Sequence, residues 1–441
     1  MTANLNERTS RRDFMKTSTV AAVGTGLLGG LALSPRAYAA GSDRIRIGLV
    51  GCGGRGSGAA HQALSTKGNV QLVAMADAFE DQLQNSLRSL QKQFESQPER
   101  VAVEPDHQFT GFDAYEKLLA SPIDLVILAT PPGFRPIHFE AAVKAGKNIF
   151  TEKPLGVDGP GVRRVLAANE HAKEKNLKIG VGLQRHHQIE YLETIDRLKS
   201  GAIGDILAMR VYWNDGGVWE PRKTRQQVKS EMEYQMRNWY YYTWLCGDHI
   251  VEQHIHNLDV ANWIKGDHPV RCWGIGGRQV LTDKRYGEIF DHHVVEYEYP
   301  DGSRCFSQCR HQPACWNSVT EHAIGSKGTA NVSGYSIKSQ GNDWRYHGHH
   351  SQPYQVEHDD LFAAIRANRS YNEVDNGAAS TMTAIMGRMA TYSGKKVEWD
   401  AALNSQIDLM PERFAFDAEP RNLPLPDGSY AIPVPGVTKA V

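Results

Sequence analysis

A short apolar strand running straight into a glycine loop constrains this chain more than any other feature. Arg44 to Val50 (RIRIGLV) ends in an apolar run, the pattern of a buried parallel strand. Gly51-Cys52-Gly53-Gly54-Arg55-Gly56 follows it without a gap. In this G-x-G-x-x-G, Gly51 permits a tight turn, Gly53 lets a pyrophosphate approach the backbone, and Gly56 lets a helix pack on its strand. The segment Ser57 to Ser65 reads as that helix, its N-terminal amides and dipole facing the phosphates. A second strand, Val70 to Ala76, ends at Asp77, where a carboxylate accepts hydrogen bonds from ribose hydroxyls and repels a 2′-phosphate. Strand, loop, helix, strand and acid in that order predict a Rossmann domain with NAD, rather than NADP, as its cofactor.

A third strand, Ile123 to Thr130, ends in Thr130-Pro131-Pro132; a helix around His138 to Ala145 then leads through Gly146-Lys147-Asn148-Ile149-Phe150-Thr151 to Glu152-Lys153-Pro154. With these elements the chain resembles the Gfo/Idh/MocA oxidoreductases, the superfamily of glucose–fructose oxidoreductase and inositol dehydrogenase. The resemblance runs from about Asp43 to at least Lys396. It implies an α/β fold: an N-terminal NAD-binding Rossmann domain and a C-terminal α/β domain with an open, largely antiparallel sheet. It also implies cofactor contacts from Thr130, Pro131 and Glu152, and it puts Lys153 beside the nicotinamide, acting on the substrate hydroxyl.

A second family signature falls within Gly247 to Asp259. Glu252, His256 and Asp259 stand at i, i+4 and i+7, so a continuous helix would present all three on one face. By resemblance His256 is the catalytic histidine, oriented by Glu252 or Asp259. Glu252 replaces the family's usual Asp, and His254 its usual small residue. His249, Glu252 and His256 also have the i, i+3, i+7 spacing of helical metal ligands, but catalytic hydrogen bonding already accounts for them, and no metal is expected. Arg185, in Gln184-Arg185-His186-His187, corresponds to an arginine the family places near cofactor and substrate. Arg237-Asn238-Trp239-Tyr240, leading into further aromatics, suits a sugar platform, although core packing explains about half of those rings equally well.

At 441 residues the chain exceeds one compact core. A net charge of −1 gives no attraction to nucleic acid or anionic lipid. Ser10-Arg11-Arg12-Asp13-Phe14-Met15-Lys16 matches a twin-arginine export pattern, followed by an apolar stretch from Thr17 to Leu33 and an Ala37-Tyr38-Ala39 cleavage site. The stretch is short and rich in Gly for a spanning helix, so cleavage and delivery to the periplasm are expected rather than stable membrane insertion. The expected organisation is a signal peptide over 1–39, a Rossmann domain over 43–165, a substrate-binding domain over 166–400 and a Pro-rich arm over 401–441. Cysteines stand at 52, 246, 272, 305, 309 and 315 with no paired C-x-x-C, the pattern of buried or singly paired thiols rather than metal ligands.

Taken together, these readings predict an NAD-dependent oxidoreductase for a carbohydrate or polyol hydroxyl. Export removes it from any soluble nicotinamide pool, so the cofactor would be held tightly and returned to its starting redox state in each turnover. One alternative is a glycosidase that works by transient oxidation and elimination. Another is a non-catalytic sugar-binding protein on the same fold. The resemblance implies a homo-oligomer assembled through the open sheet.

Overall fold

Six parallel strands build the first sheet of the computed structural model, which describes residues 43–439 and 441. They are β1 (Ile45–Val50), β2 (Val70–Asp77), β3 (Gln108–Thr110), β4 (Leu125–Leu128), β5 (Asn148–Thr151) and β6 (Ile179–Val181), in the order β3-β2-β1-β4-β5-β6. β4 is buried along its whole length, as a strand covered on both faces must be. The strand order reverses between β1 and β4, and the crevice at the carboxyl ends of those strands is where such a sheet binds ligands. The expected export segment over 1–39 lies outside the described residues.

Two expected boundaries shift. The first helix spans Gly54–Leu64 and starts inside the glycine loop, not at Ser57. Gly53 takes the extended N-cap position (φ −73°, ψ −176°), so Gly54, Arg55 and Gly56 are already its first turn. The parallel sheet also continues past 165, because β6 pairs with β5 through Ile149–Ile179 and its neighbours.

The second sheet contains β7 (Ile206–Asp215), β8 (Arg271–Gly277), β9 (His292–Glu298), β10 (Arg304–His311), β11 (Ser318–Gly325), β12 (Gly328–Asn331), β13 (Ser336–Ser339), β14 (Trp344–Arg345) and β15 (Val397–Glu398). Its order is β14-β13-β12-β11-β7-β10-β9-β8-β15. Only β7 and β10 run parallel; the other pairs are antiparallel. β9 and β10 form a hairpin, with Glu298 opposite Arg304. Along β10, Cys305, Ser307, Cys309 and His311 are buried while Phe306 and Gln308 face out, the period-2 alternation of a half-covered sheet. Helices Ile255–Lys265 and Val374–Ser393 cover the inner face. The outer face is open, with Ile275 74% and Phe306 44% exposed. All six cysteines are free, and only Cys315 is exposed.

The carboxyl-terminal elements return to the Rossmann sheet. Helix Pro353–Arg366 packs on Gly54–Leu64, and Val374–Ser393 packs on Gly159–Glu174. The arm then lays Phe416 4.9 Å from Phe112 and 5.5 Å from Phe79, and Phe414 5.7 Å from Phe134, ring centroid to centroid. It thus backs the loops that follow β2, β3 and β4. Among the described residues no helix is long and apolar enough to cross a membrane.

Candidate active site

The glycine loop has the geometry of a phosphate cradle. Gly51 adopts φ +95°, and a Cβ there would meet the Ala129 carbonyl carbon and the Thr130 nitrogen at 2.6 Å. At Gly56 a Cβ would sit 1.9 Å from the Gly51 carbonyl oxygen, so only glycine lets the helix cross the turn. Gly53 and Gly54 differ: a Cβ on either meets nothing within 4 Å, because both face the cleft. Asp77 closes the other side, its carboxylate accepting from Cys52 N at 2.7 Å and Phe79 N at 2.9 Å. Burial pushes this carboxyl up, and the backbone donors partly offset that. An open amide cradle with a carboxylate at the end of β2 fits a dinucleotide.

From the loop the cleft continues to a second cluster, enclosing about 490 Å³. Thr130, Pro131, Glu152, Lys153, Glu252 and His256 all line it. Arg135 fixes the floor by donating to the carbonyls of Leu128 and Thr130, each at 2.6 Å. Glu152, at the end of β5, lies 2.9 Å from Arg55 Nε. Lys153 Nζ donates to the Glu252 backbone carbonyl at 2.5 Å and to Glu252 Oε1 at 3.0 Å. His256 is buried beside them, its ring stacked on Trp213 at 6.0 Å. Burial, with the nearby charges of Lys153 and Arg185, holds the His256 imidazole well below its usual pKa. The ring is therefore held neutral, and among the described residues its Nδ1 has no hydrogen-bond partner.

The helix expected through this region is broken. One turn spans His249–Glu252, the chain turns at Gln253 and His254, and a new helix runs from Ile255 to Lys265. Side chains hold the break: Gln253 Oε1 lies 2.7 Å from His311 Nε2, and His254 Nε2 lies 2.8 Å from Ser307 Oγ. The break ends the i, i+4, i+7 register. Glu252 and His256 still face the cleft, but Asp259 does not. Its carboxylate is bound to His186 (2.8 Å), Asn376 (3.0 Å) and Ser380 (2.8 Å), and among the described residues it makes no hydrogen bond to His256. Orientation of His256 by Asp259 is thus corrected. His249 turns inward and stacks on His311 at 4.3 Å, so His249, Glu252 and His256 do not converge on a metal. His254 is buried against β10, so this departure from the family pattern does not reach the cleft.

The platform residues divide. Trp239 lines the cleft. Arg237 also lines it, but at the Asp77 end, pairing with Asp81 at 2.8 Å and stacking over Phe79 at 3.7 Å. Asn238 is fully buried and pins a loop: its Oδ1 accepts from Arg222 N at 2.7 Å and Lys223 N at 3.1 Å. Tyr240 is buried with its ring against His311 at 5.7 Å. Arg185 does not line the cleft but pairs with Glu321, and its guanidinium lies over Tyr191. Asn238, Tyr240 and Arg185 therefore support the walls instead of lining them.

Sequence reading missed Phe79, Phe112 and Phe134, which line the cleft just after β2, β3 and β4. Apolar residues immediately beyond parallel strands were the available signal. It also missed Trp219, Arg222 and Lys223, which come from an irregular segment without periodicity. There Arg222 lies over the Trp219 ring at 3.9 Å.

Comparison with known proteins matches residues 45–183 to the Gfo/Idh/MocA family described as "Oxidoreductase family, NAD-binding Rossmann fold". An inositol 2-dehydrogenase of Rhizobium meliloti is 26% identical over 251 residues, covering 57% of this chain and 63% of that one. A glycosyl hydrolase family 109 protein of Solibacter usitatus is 30% identical over 159 residues, 34% of this chain and 33% of that one. The chain thus spans less than two thirds of the length of such curated relatives. The aldose–aldose oxidoreductase of Caulobacter crescentus, crystallised with glycerol, superposes with a TM-score of 0.63 at 17% identity, over 80% of this chain and 99% of that one, which shows the shared fold.

Proposed function

We propose that the protein, whose residues 45–183 match the Gfo/Idh/MocA family model, is an NAD-dependent oxidoreductase of that type acting on a hydroxyl of a carbohydrate or polyol. The observation that carries this reading is the meeting of Lys153, Glu252 and His256 on one cleft with the glycine loop. Gly53, Gly54 and Asp77 would hold the dinucleotide, with Thr130, Pro131 and Glu152 along its wall. When bound there, NAD supplies the hydride acceptor. Lys153, fixed by Glu252, donates a hydrogen bond to the reacting oxygen. The neutral His256 imidazole, its Nδ1 without a partner among the described residues, takes the hydroxyl proton as the carbonyl forms. Trp219 and Trp239 offer aromatic faces to sugar C–H groups, and Arg222 and Lys223 offer donors to hydroxyls.

A second reading is glycoside cleavage by transient oxidation and elimination. The Lys153–Glu252 pair favours it, because a carboxylate 3.0 Å from the ammonium gives the cleft a second base for a C–H beside the new carbonyl. The similarity to a family 109 glycosyl hydrolase points the same way. The twin-arginine pattern supports periplasmic localisation, and the arm packed behind the cleft supports retention of NAD. Apolar residues on the open sheet face support a homo-oligomer.

Two portions of purified protein test these readings, one denatured to release bound nucleotide and one kept native and incubated in heavy water with polyols and glycosides. A stable keto product supports dehydrogenation. Deuterium beside the carbonyl with a released aglycone supports elimination. If no nucleotide is released and added NAD does not bind, both are refuted and the sugar-binding alternative stands.

A further inference from the structure

Behind the catalytic turn, away from the cleft, lies a cluster that the proposed reaction does not use. Asp248 and His249 from the turn and His293 from β9 are all buried, and their donor atoms lie within 4.8 Å of one another. Among the described residues neither ring nitrogen of His249 has a hydrogen-bond partner, while His293 Nε2 meets only the Asp248 carboxylate, at 3.3 Å. Leaving a buried polar atom unsatisfied is destabilising. The other nitrogen of His293 is fixed by Thr391 Oγ1 at 2.8 Å, the outer contact that orients an imidazole whose remaining lone pair binds something.

Asp248 supplies the anion. Its backbone sits at φ +76°, ψ 161°, a region that is essentially restricted to glycine and costly for any other residue. That strain carries the carboxylate inward. Oδ1 accepts from His249 N at 2.5 Å, while Oδ2 accepts from Phe290 N at 2.9 Å and Tyr392 Oη at 2.5 Å. His293 Nε2 lies 3.3 Å from Oδ2 and His249 Nε2 lies 3.9 Å from Oδ1. Ligands on a tetrahedral ion with bonds of about 2.1 Å stand about 3.4 Å apart, close to the two histidine–carboxylate spacings, and donors that lie within 4.8 Å of one another would draw together around it.

We propose that Asp248, His249 and His293 bind a divalent transition-metal ion, with zinc the best match to two imidazoles and one carboxylate in a site that needs no redox change. The ion takes the lone pairs that the protein leaves unpaired. It ties β9 to the His249–Glu252 turn, whose last residue holds Lys153, so its role is structural support of the catalytic turn. Because the site is fully buried, the ion is acquired during folding.

The test is metal analysis of the full chain, produced in zinc-supplemented medium and passed through chelator. The exposed His347, His349 and His350 are replaced by Ala in this background, so that a surface tract cannot contribute. About one zinc per chain is expected, falling to background in His293→Gln and His249→Gln. Cobalt-grown protein should show the visible bands of a low-symmetry cobalt site. That spectrum needs no substitution in the cluster and decides the matter if those variants fail to fold. Zinc below about a tenth of an equivalent in the folded protein, with no cobalt bands, overturns the proposal. So does zinc that persists in both cluster variants, which would mean an adventitious ion only.

Discussion

Lowering the pH from 7 to 5 should destabilise this protein through histidines buried in neutral form, and His138 allows the effect to be isolated. Its ring is buried in the cleft wall, 4.3 Å from Tyr115 and 5.8 Å from Phe134, with Nδ1 3.1 Å from Thr130 Oγ1. Burial first, and then the nearby Arg135 charge, depress its pKa to about 3. The unfolded chain regains a value near 6.5 and therefore binds more protons than the folded one between those limits. The stability this group contributes is thus fully present above pH 6.5 and is lost as the pH falls toward 3. Protonation of the unfolded imidazole is worth about 0.2 kcal/mol at pH 7 and about 2 kcal/mol at pH 5, so the loss across that interval is about 2 kcal/mol. His138→Asn keeps a polar atom for Thr130 and removes the titration. The variant loses some ring packing, but by an amount that does not depend on pH. Urea unfolding of both proteins at pH 7, 6 and 5 should show the gap between them moving by about 2 kcal/mol in the variant's favour. Parallel stability curves would refute a neutral, buried His138.

Gly56→Ala should abolish NAD binding and lower the Tm, because its Cβ would sit 1.9 Å from the Gly51 carbonyl oxygen. Gly53→Ala should leave the Tm unchanged, since its Cβ meets nothing within 4 Å, yet weaken NAD by about tenfold or more by filling the pyrophosphate's place; equal effects of the two substitutions in calorimetry and thermal melts would contradict the cradle. Asp77→Ser should shift the NADP-to-NAD affinity ratio upward by about tenfold or more, since Arg237 beside it is already on the cleft wall to meet a 2′-phosphate; an unchanged ratio in titration calorimetry would argue against the ribose assignment. Glu252→Gln should lower kcat by about a hundredfold while NAD affinity holds, whereas Asp259→Asn should leave the pH profile of kcat unchanged; the reverse pattern would restore Asp259 as the residue that orients His256.

The difference between Glu252 and Asp259 shows where sequence stopped being readable. The Rossmann half was legible because its constraints are local: Gly51, Gly56 and Asp77 act within one strand–turn–helix–strand unit, so spacing alone states the geometry. Thr130, Glu152 and Lys153 were read through the family resemblance, and the structure sets each just beyond the end of a parallel strand. The helix through His256 was misread because a periodic pattern assumes an unbroken backbone. The break depends on Gln253 reaching His311 and His254 reaching Ser307, partners more than fifty positions away that no local pattern reveals. The same long-range pairing hid Arg185, whose partner Glu321 lies on β11, and Asn238, whose work is to pin the loop carrying Arg222 and Lys223. What the break achieves is specific. A straight helix would place Glu252, His256 and Asp259 together, with one carboxylate redundant. Breaking it leaves Glu252 on Lys153, hands Asp259 to His186 and Ser380, and turns His249 toward His293, so one short stretch serves the cleft, the packing of Ile255–Lys265 on Val374–Ser393 and the buried cluster at once.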